Sequence, residues 1–281
     1  MRKIIIWPVI STLLTGIFFL QKGISFDKLS TAYIQKTGAY PYIVLAMCIL
    51  MLYLKRDKIL ALMQEGTNPP MAMIGLSLAG LSMLLAFDEP SFQIFDLMLL
   101  WLGIFIFLFP KAASIPLFLL GIYGFALVFP PIVSGSGNFF PMATTAVLVF
   151  ILGPFLPISH QGTTIRFQDI SGGYQTYLID AGCSGSASLA IFLSLFFLML
   201  LDRPVSWKKA GNLFIFGLAG TSLQNILRLI VLVLEGYWHG SEGVWSAHAY
   251  AGYILFPIWY SLFAYVYFKQ VSNPDVSLLP H

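Results

Sequence analysis

Charge is scarce in this chain. Only 10% of its 281 residues are Asp, Glu, Lys or Arg, against about 25% in a typical soluble domain. That shortage excludes an ordinary globular protein. The 15 basic residues form no dense run, and the net charge is +3, so nucleic acid is not a partner. Cysteine is scarcer still. Cys48 lies in the apolar run 40–54 and Cys183 in a Gly/Ser setting; the two are not expected to pair, and no disulfide framework exists. No cluster with metal-ligand spacing and no phosphate-cradling glycine loop occurs, so neither metal nor cofactor is expected. Internal repeats and low-complexity tracts are missing too.

Apolar residues are abundant. They make up 58% of the chain, the mean hydropathy is +0.84, and aromatics reach 16%, which suits a helical bundle with aromatic belts among membrane lipids. A span needs roughly 17–25 mostly apolar residues. Nine stretches qualify or come close: 4–20, 40–54, 71–87, 92–109, 115–129, 141–156, 185–201, 211–234 and 249–268. Gln21-Lys22-Gly23 after the first stretch departs from a small-residue cleavage pattern, so that stretch is expected to be a retained anchor.

Basic residues orient the spans. Arg2 and Lys3, the Lys55-Arg56-Asp57-Lys58 cluster, Lys111, the group Arg203, Lys208 and Lys209, and Lys269 should all be cytoplasmic. Nine crossings would put the 202–209 loop outside. One stretch therefore should not cross. The best candidate is 141–156, which opens with proline and ends in Gly-Pro-Phe-Leu-Pro; it is expected to lie on, or dip into, the outer leaflet. About eight transmembrane helices remain, with both termini inside. The scheme strains at 21–39, which would lie outside although it holds Lys22, Lys28 and Lys36; a non-inserting first segment is the competing solution. The long polar stretch 159–182 carries β-branched and aromatic residues at 163–170 and 174–179 around Gly172-Gly173. It predicts a short extracytoplasmic β-hairpin leading to Cys183. The expected fold class is an all-α integral membrane protein carrying that hairpin and one interfacial or re-entrant helix.

Three polar positions fall at the same membrane face. Cys183, in Gly182-Cys183-Ser184-Gly185, opens the seventh stretch. A helix N-terminus lowers a thiol's pKa, and its free N–H groups suit an oxyanion. Arg228 lies about 9 Å short of Leu234 along its helix. An arginine at that depth needs a partner or water. Gln224, Asn225 and Glu235 fall on its face at i−4, i−3 and i+7. His248 opens the ninth stretch, and histidine moves protons near neutral pH. His239 and His160 are competitors on the same side, and His281 is terminal. Each position alone has a bland reading: close helix packing, snorkelling, or a pair with Glu235. Together they supply nucleophile, base and fixed cation for acyl transfer.

Cys-Ser-Gly after a hairpin, Asn-x-x-Arg (Asn225 to Arg228) in the next span and His-x-x-x-Gly (His248 to Gly252) opening the last resemble the exosortase/archaeosortase family over about residues 109–268. The resemblance implies a membrane cysteine endopeptidase or transpeptidase with catalytic Cys183, Arg228 and His248, supported by Ser184, Gly185, Asn225, Gln224 and Glu235. It implies substrates anchored in the membrane by a C-terminal sorting signal, namely a short motif, a helix and a basic tail. They would be cut outside the cytoplasmic membrane through a thioester and passed to an acceptor such as a lipid. The sequence departs from common bacterial members at Ser186 and Ala187 and agrees at Ser188. The expected organisation is N-terminal transmembrane helices over 1–110, a catalytic membrane region over 111–270 and a cytoplasmic tail over 271–281. Two rival readings are a rhomboid-like serine protease using Ser184 with His248, and a non-enzymatic transporter or scaffold whose path is lined by Arg228, Asn225 and Glu235.

Overall fold

A computed structural model of the protein describes residues 2–23, 40–64, 68–85, 90–135, 137–180 and 182–272. Lys28, Lys36 and the tail beyond residue 272 lie outside the described residues. The chain forms two compact units, Met1–Leu127 and Val128–His281. Each of the nine apolar stretches is built around a helix. Among the described residues, three helices are long and apolar enough to cross a membrane: Ser114–Val133, Trp207–His248 and Tyr250–Ser272. Six shorter apolar helices accompany them.

The first unit holds α1 (Arg2–Lys22), α2 (Tyr40–Leu54), the short α3 (Arg56–Met63), α4 (Pro69–Leu84), α5 (Pro90–Leu108) and most of α6 (Ser114–Gly135). Helix α4 starts where Asn68 accepts the Met71 N–H and two prolines follow, since proline fits the first helical turn. Its tight seam with α5 depends on glycine: a Cβ at Gly75 would lie 2.7 Å from the Gly103 carbonyl oxygen. Small residues let helix backbones meet this closely in lipid. Helix α1 is tied to α5 by an ion pair between Lys22 and Asp96 at 3.3 Å. Asp96 is 1% exposed, and a carboxylate at such a depth calls for a partner.

The second unit holds α7 (Phe139–Leu152), β1 (Ile158–Gln161), β2 (Thr164–Gln168), β3 (Tyr174–Leu178), α8 (Ser186–Asp202) and α9 (Trp207–Ser272). At 14 residues, α7 spans about 21 Å, short of a ~30 Å hydrocarbon core. Length does not set it apart, because α2 has 15 residues. The expected hairpin is a three-stranded antiparallel sheet in the order β1-β2-β3. The added strand, Ile-Ser-His-Gln, lacks an apolar alternation; it forms because Gly162, at φ +60°, reverses the chain and pairs Gln161 with Thr164. The inner face of the sheet, with Ile165, Phe167 and Ile179, packs on Leu148 and Leu152 of α7 and on Leu229, Leu232 and Val233 of α9.

Helix α9 departs most from expectation. The segment 235–248, left between the eighth and ninth apolar stretches in the sequence, is helical up to and beyond Gly240, which breaks the helix at φ 63°, ψ −150°. The partners of the two arms are arranged almost symmetrically about that glycine. Trp259 donates to Thr221 Oγ1 at 3.0 Å and Gln224 to the Leu255 carbonyl at 2.9 Å. Gly217 makes room for Phe192 of α8 and for Phe263, and Gly220 for Trp259. The arms are therefore an antiparallel helical hairpin with a one-residue reversal. Its tip is tied to the sheet: Ile170 N–H donates to the Tyr237 carbonyl at 2.9 Å. The adjoining turn is organised by Asp169, which accepts from Ser171 N–H, Ser171 Oγ, Gly173 N–H and Gln175 Nε2. These bonds, the Ser171 hydroxyl first, hold its carboxyl down to about 2.

Two outcomes follow. Asp96→Leu leaves a buried ammonium alone and should destabilise the protein by about 3–5 kcal/mol; adding Lys22→Met should recover most of that, as read by thermal unfolding in detergent. Gly240 occupies a backbone region essentially closed to other residues, although a Cβ there would meet nothing nearer than 3.7 Å. Gly240→Ala should therefore cost about 1–3 kcal/mol through backbone strain alone, seen as a lower melting temperature in the same assay.

Candidate active site

After β3 the chain turns through Asp180 into α8. Asp180 builds the turn by accepting the Cys183 N–H on Oδ1 at 2.8 Å and the Ser184 N–H on its own carbonyl at 3.0 Å. Gly185 then caps α8 in a left-handed conformation, φ 90°. A Cβ at Gly185 would fall 2.9 Å from Cγ of Asn225, so glycine is needed for conformation and for space. Asn225, 3% exposed, reaches from the first arm of α9 and donates Nδ2–H to the Cys183 carbonyl at 3.0 Å. The cysteine is thus held from both sides.

Its thiol faces a pocket of about 310 Å³ that Asp180 and His248 also line. The remaining wall is mostly apolar, including Ile165, Ile179, Leu229 and Val244. The thiol pKa, expected from the sequence to be lowered, is instead pushed up to about 11. Burial is the largest cause. The negative charge of Asp180 and the thiol's hydrogen bond to it come next, only partly offset by Arg228. The physical reason for the reversal is position. The N-cap is Gly185, so Cys183 sits two residues ahead of it, while a carboxylate lies within hydrogen-bonding reach.

Arg228 and His248 face each other across the helical hairpin, with Arg228 Nη2 3.4 Å from His248 Nδ1. A guanidinium can only donate. Nδ1 is therefore the acceptor, and in the neutral ring the proton sits on Nε2. The imidazole also meets the edge of Trp245, centroids 6.3 Å apart. Arg228 passes Gly252, where a Cβ would lie 3.6 Å from Nε. That Nε–H is buried and has no hydrogen-bond partner, as is Asn225 Oδ1. Buried donors of this kind are rare and call for an explanation.

The other sequence candidates lie elsewhere. Gln224 braces the two arms of α9. Glu235 pairs with His239 at 2.8 Å, and neither lines the Cys183 pocket. Ser184 lines a different cavity of about 400 Å³, with Asn225, Leu189, Thr144 and Val147. His160 sits on exposed β1, its Nδ1 3.3 Å from the Gly162 carbonyl. Sequence reasoning missed Asp180. A signal was available, since aspartate shortly ahead of a Gly-containing turn commonly accepts N–H groups of the following residues. Trp245 and Gly252 carried no comparable signal.

Residues 33–265 match the model of a family described as the transmembrane exosortase. No curated protein and no solved structure gives a match. The matched region covers most of the chain and includes Cys183, Arg228 and His248. The chain belongs to the transmembrane exosortase family, which makes it a multi-pass membrane enzyme of the cysteine transpeptidase type.

Proposed function

We propose that this protein cleaves membrane-anchored proteins at a C-terminal sorting signal, outside the cytoplasmic membrane, and passes the released acyl group from Cys183 to an acceptor. The observation that carries the reading is the pocket that the Cys183 thiol shares with His248, with Arg228 against that histidine and an unpartnered guanidinium N–H beside it. Cys183 Sγ attacks the scissile carbonyl carbon while His248 takes the thiol proton. The Arg228 Nε–H is the donor suited to the oxyanion. Collapse breaks the C–N bond, and His248 returns the proton to the departing amine. Water or an amine, such as that of a lipid headgroup, then resolves the thioester and regenerates the thiol.

On this mechanism the resting arrangement has to change before the thiol reacts. Asp180 holds the thiol proton, and Arg228 holds the histidine nitrogen that must receive it. Productive binding has to exchange these partners, freeing Nδ1 for the thiol. Helix length supports a site near the membrane surface: Arg228 stands 21 residues beyond Trp207, about 32 Å along the helix, which matches the ~30 Å hydrocarbon core. An eight-span arrangement with α7 at the interface suits this depth. The apolar cavity beside Ser184, between α7, α8 and α9, suits lateral entry of the substrate's helix. Ser184 lines that cavity and not the pocket of His248, which favours the thiol over a rhomboid-like serine.

The test is substitution with a co-expressed substrate followed by gel shift. Cys183→Ala should abolish processing, whereas Ser184→Ala should retain it; the opposite pattern ends the thiol reading. A second measurement addresses Asp180. Only the thiolate reacts with iodoacetamide, so labelling of Cys183 should be slow at pH 8 and rise toward the pKa of about 11. Asp180→Asn keeps an oxygen for the Cys183 N–H and removes the negative charge. The midpoint should fall, and labelling at pH 8 should accelerate up to about tenfold for each unit of the fall. An unchanged pH profile would rule out the restraint.

A further inference from the structure

We infer that the free edge of β3 is the docking rail for the extended peptide of the substrate, which adds to the sheet as a fourth, parallel strand ending at Cys183. The inference rests on the thiol reading above and deepens it by assigning the binding mode.

The edge follows from the register. Strand β3 pairs with β2 alone among the described residues. Ile179 N–H donates to the Thr163 carbonyl and Asp169 N–H to the Gly173 carbonyl. In an antiparallel ladder, hydrogen-bonded and non-hydrogen-bonded pairs alternate. Gln175, Tyr177 and Ile179 therefore spend their backbone groups on β2, and Tyr174, Thr176 and Leu178 direct theirs to the open side. Such an edge is a template for another strand, and enzymes and adaptors bind extended peptides this way. The exposed edge residues Tyr174 and Leu178 are 82% and 63% exposed.

The rail leads to the chemistry. The Cys183 pocket is lined on one side by Tyr177, Leu178 and Ile179 and on the other by Val244, Trp245 and His248 of α9. Because Asp180 folds the next turn back on itself, the thiol lies just past the strand's end. Alternate residues of an added strand point inward. The one next to the scissile bond would enter the apolar wall, and the Asp180 carboxylate at the mouth disfavours an acidic side chain there. Direction follows from the anchor. The departing half of the substrate continues into its own membrane helix, and on the reading above the apolar α8 carries the chain from Gly185 into the membrane. A substrate strand parallel to β3 sends its C-terminal end the same way and leaves its acyl half on the sheet.

The experiment uses the purified full chain in detergent and two probes, acetyl-Ala-Ala-Ala-Leu chloromethyl ketone and acetyl-Leu chloromethyl ketone. Alkylation of Cys183 is followed by peptide mass mapping, with iodoacetamide as a reporter of the thiol itself. The longer probe should react about tenfold faster, the equivalent of 1.4 kcal/mol. Thr176→Pro removes one outward N–H and no bond to β2, a change edge strands tolerate. It should erase that advantage and leave the iodoacetamide rate unchanged, whereas Thr176→Ala should keep the advantage. Equal rates for the two probes in the unaltered protein would overturn the inference. So would an advantage that survives Thr176→Pro, or a Thr176→Pro effect confined to self-association, which would make the edge a contact between copies. Failure of iodoacetamide to reach Cys183 at any pH would instead overturn the thiol reading.

Discussion

The reversal of α9 at Gly240 is the constraint on which the site depends. Arg228 and His248 are 20 residues apart, about 30 Å on a straight helix. They meet only because the chain doubles back at a single residue. The reversal requires a backbone conformation that glycine reaches and other residues do not. It is held at two levels. Below, Gln224 and Trp259 bridge the arms, with Gly217 and Gly220 admitting the large rings of the opposite arm. Above, the Ile170 to Tyr237 bond ties the tip to the sheet. The sheet and the helical hairpin position each other, and Cys183 lies where they join.

Polar groups in an apolar bundle need partners, and this protein meets that demand unevenly. Lys22 pairs with one oxygen of Asp96, Asn225 serves the Cys183 carbonyl, and Asp169 is saturated with donors. The exceptions among the described residues fall in both units: Ser11 Oγ and Asp96 Oδ1 in the first, Asn225 Oδ1 and Arg228 Nε in the second. Unmet polar groups cost stability; the second pair lies on the arm of α9 that supports the Cys183 loop, where on the proposed reading a bound substrate would satisfy it.

Much of this was legible in the sequence, for identifiable reasons. Helix positions follow from apolar runs, since lipid leaves the backbone few alternatives, and among the described residues each of the nine stretches is built around a helix. The cysteine, arginine and histidine stand out because polar residues at membrane depth are expensive. Three things were not legible. Strand β1 has no alternating pattern and depends on a tertiary turn. The segment 235–248 contains three glycines, two glutamates and two histidines, a composition that reads as loop, yet packing across the hairpin overrides it. The sign of the thiol's shift depended on Asp180, whose carboxylate reaches the cysteine only through a turn that sequence spacing does not display. Chain direction alone suggested that a helix N-terminus would activate Cys183; a nearer carboxylate outweighs a helix end two residues away.

That last reversal has a functional logic. Susceptibility to oxidation follows thiolate character, so a permanently ionised thiolate would be vulnerable. A thiol at about 11 is protected by its own proton. On the proposed mechanism, reactivity comes from the substrate, whose entry displaces water and whose oxyanion draws Arg228 away from His248; release of Nδ1 then creates the base as the carbonyl arrives. On this account the unfavourable electrostatics around Cys183 contribute to specificity: a peptide that cannot engage Arg228 leaves the thiol protonated, and the enzyme stays idle among the many membrane proteins it must leave uncut.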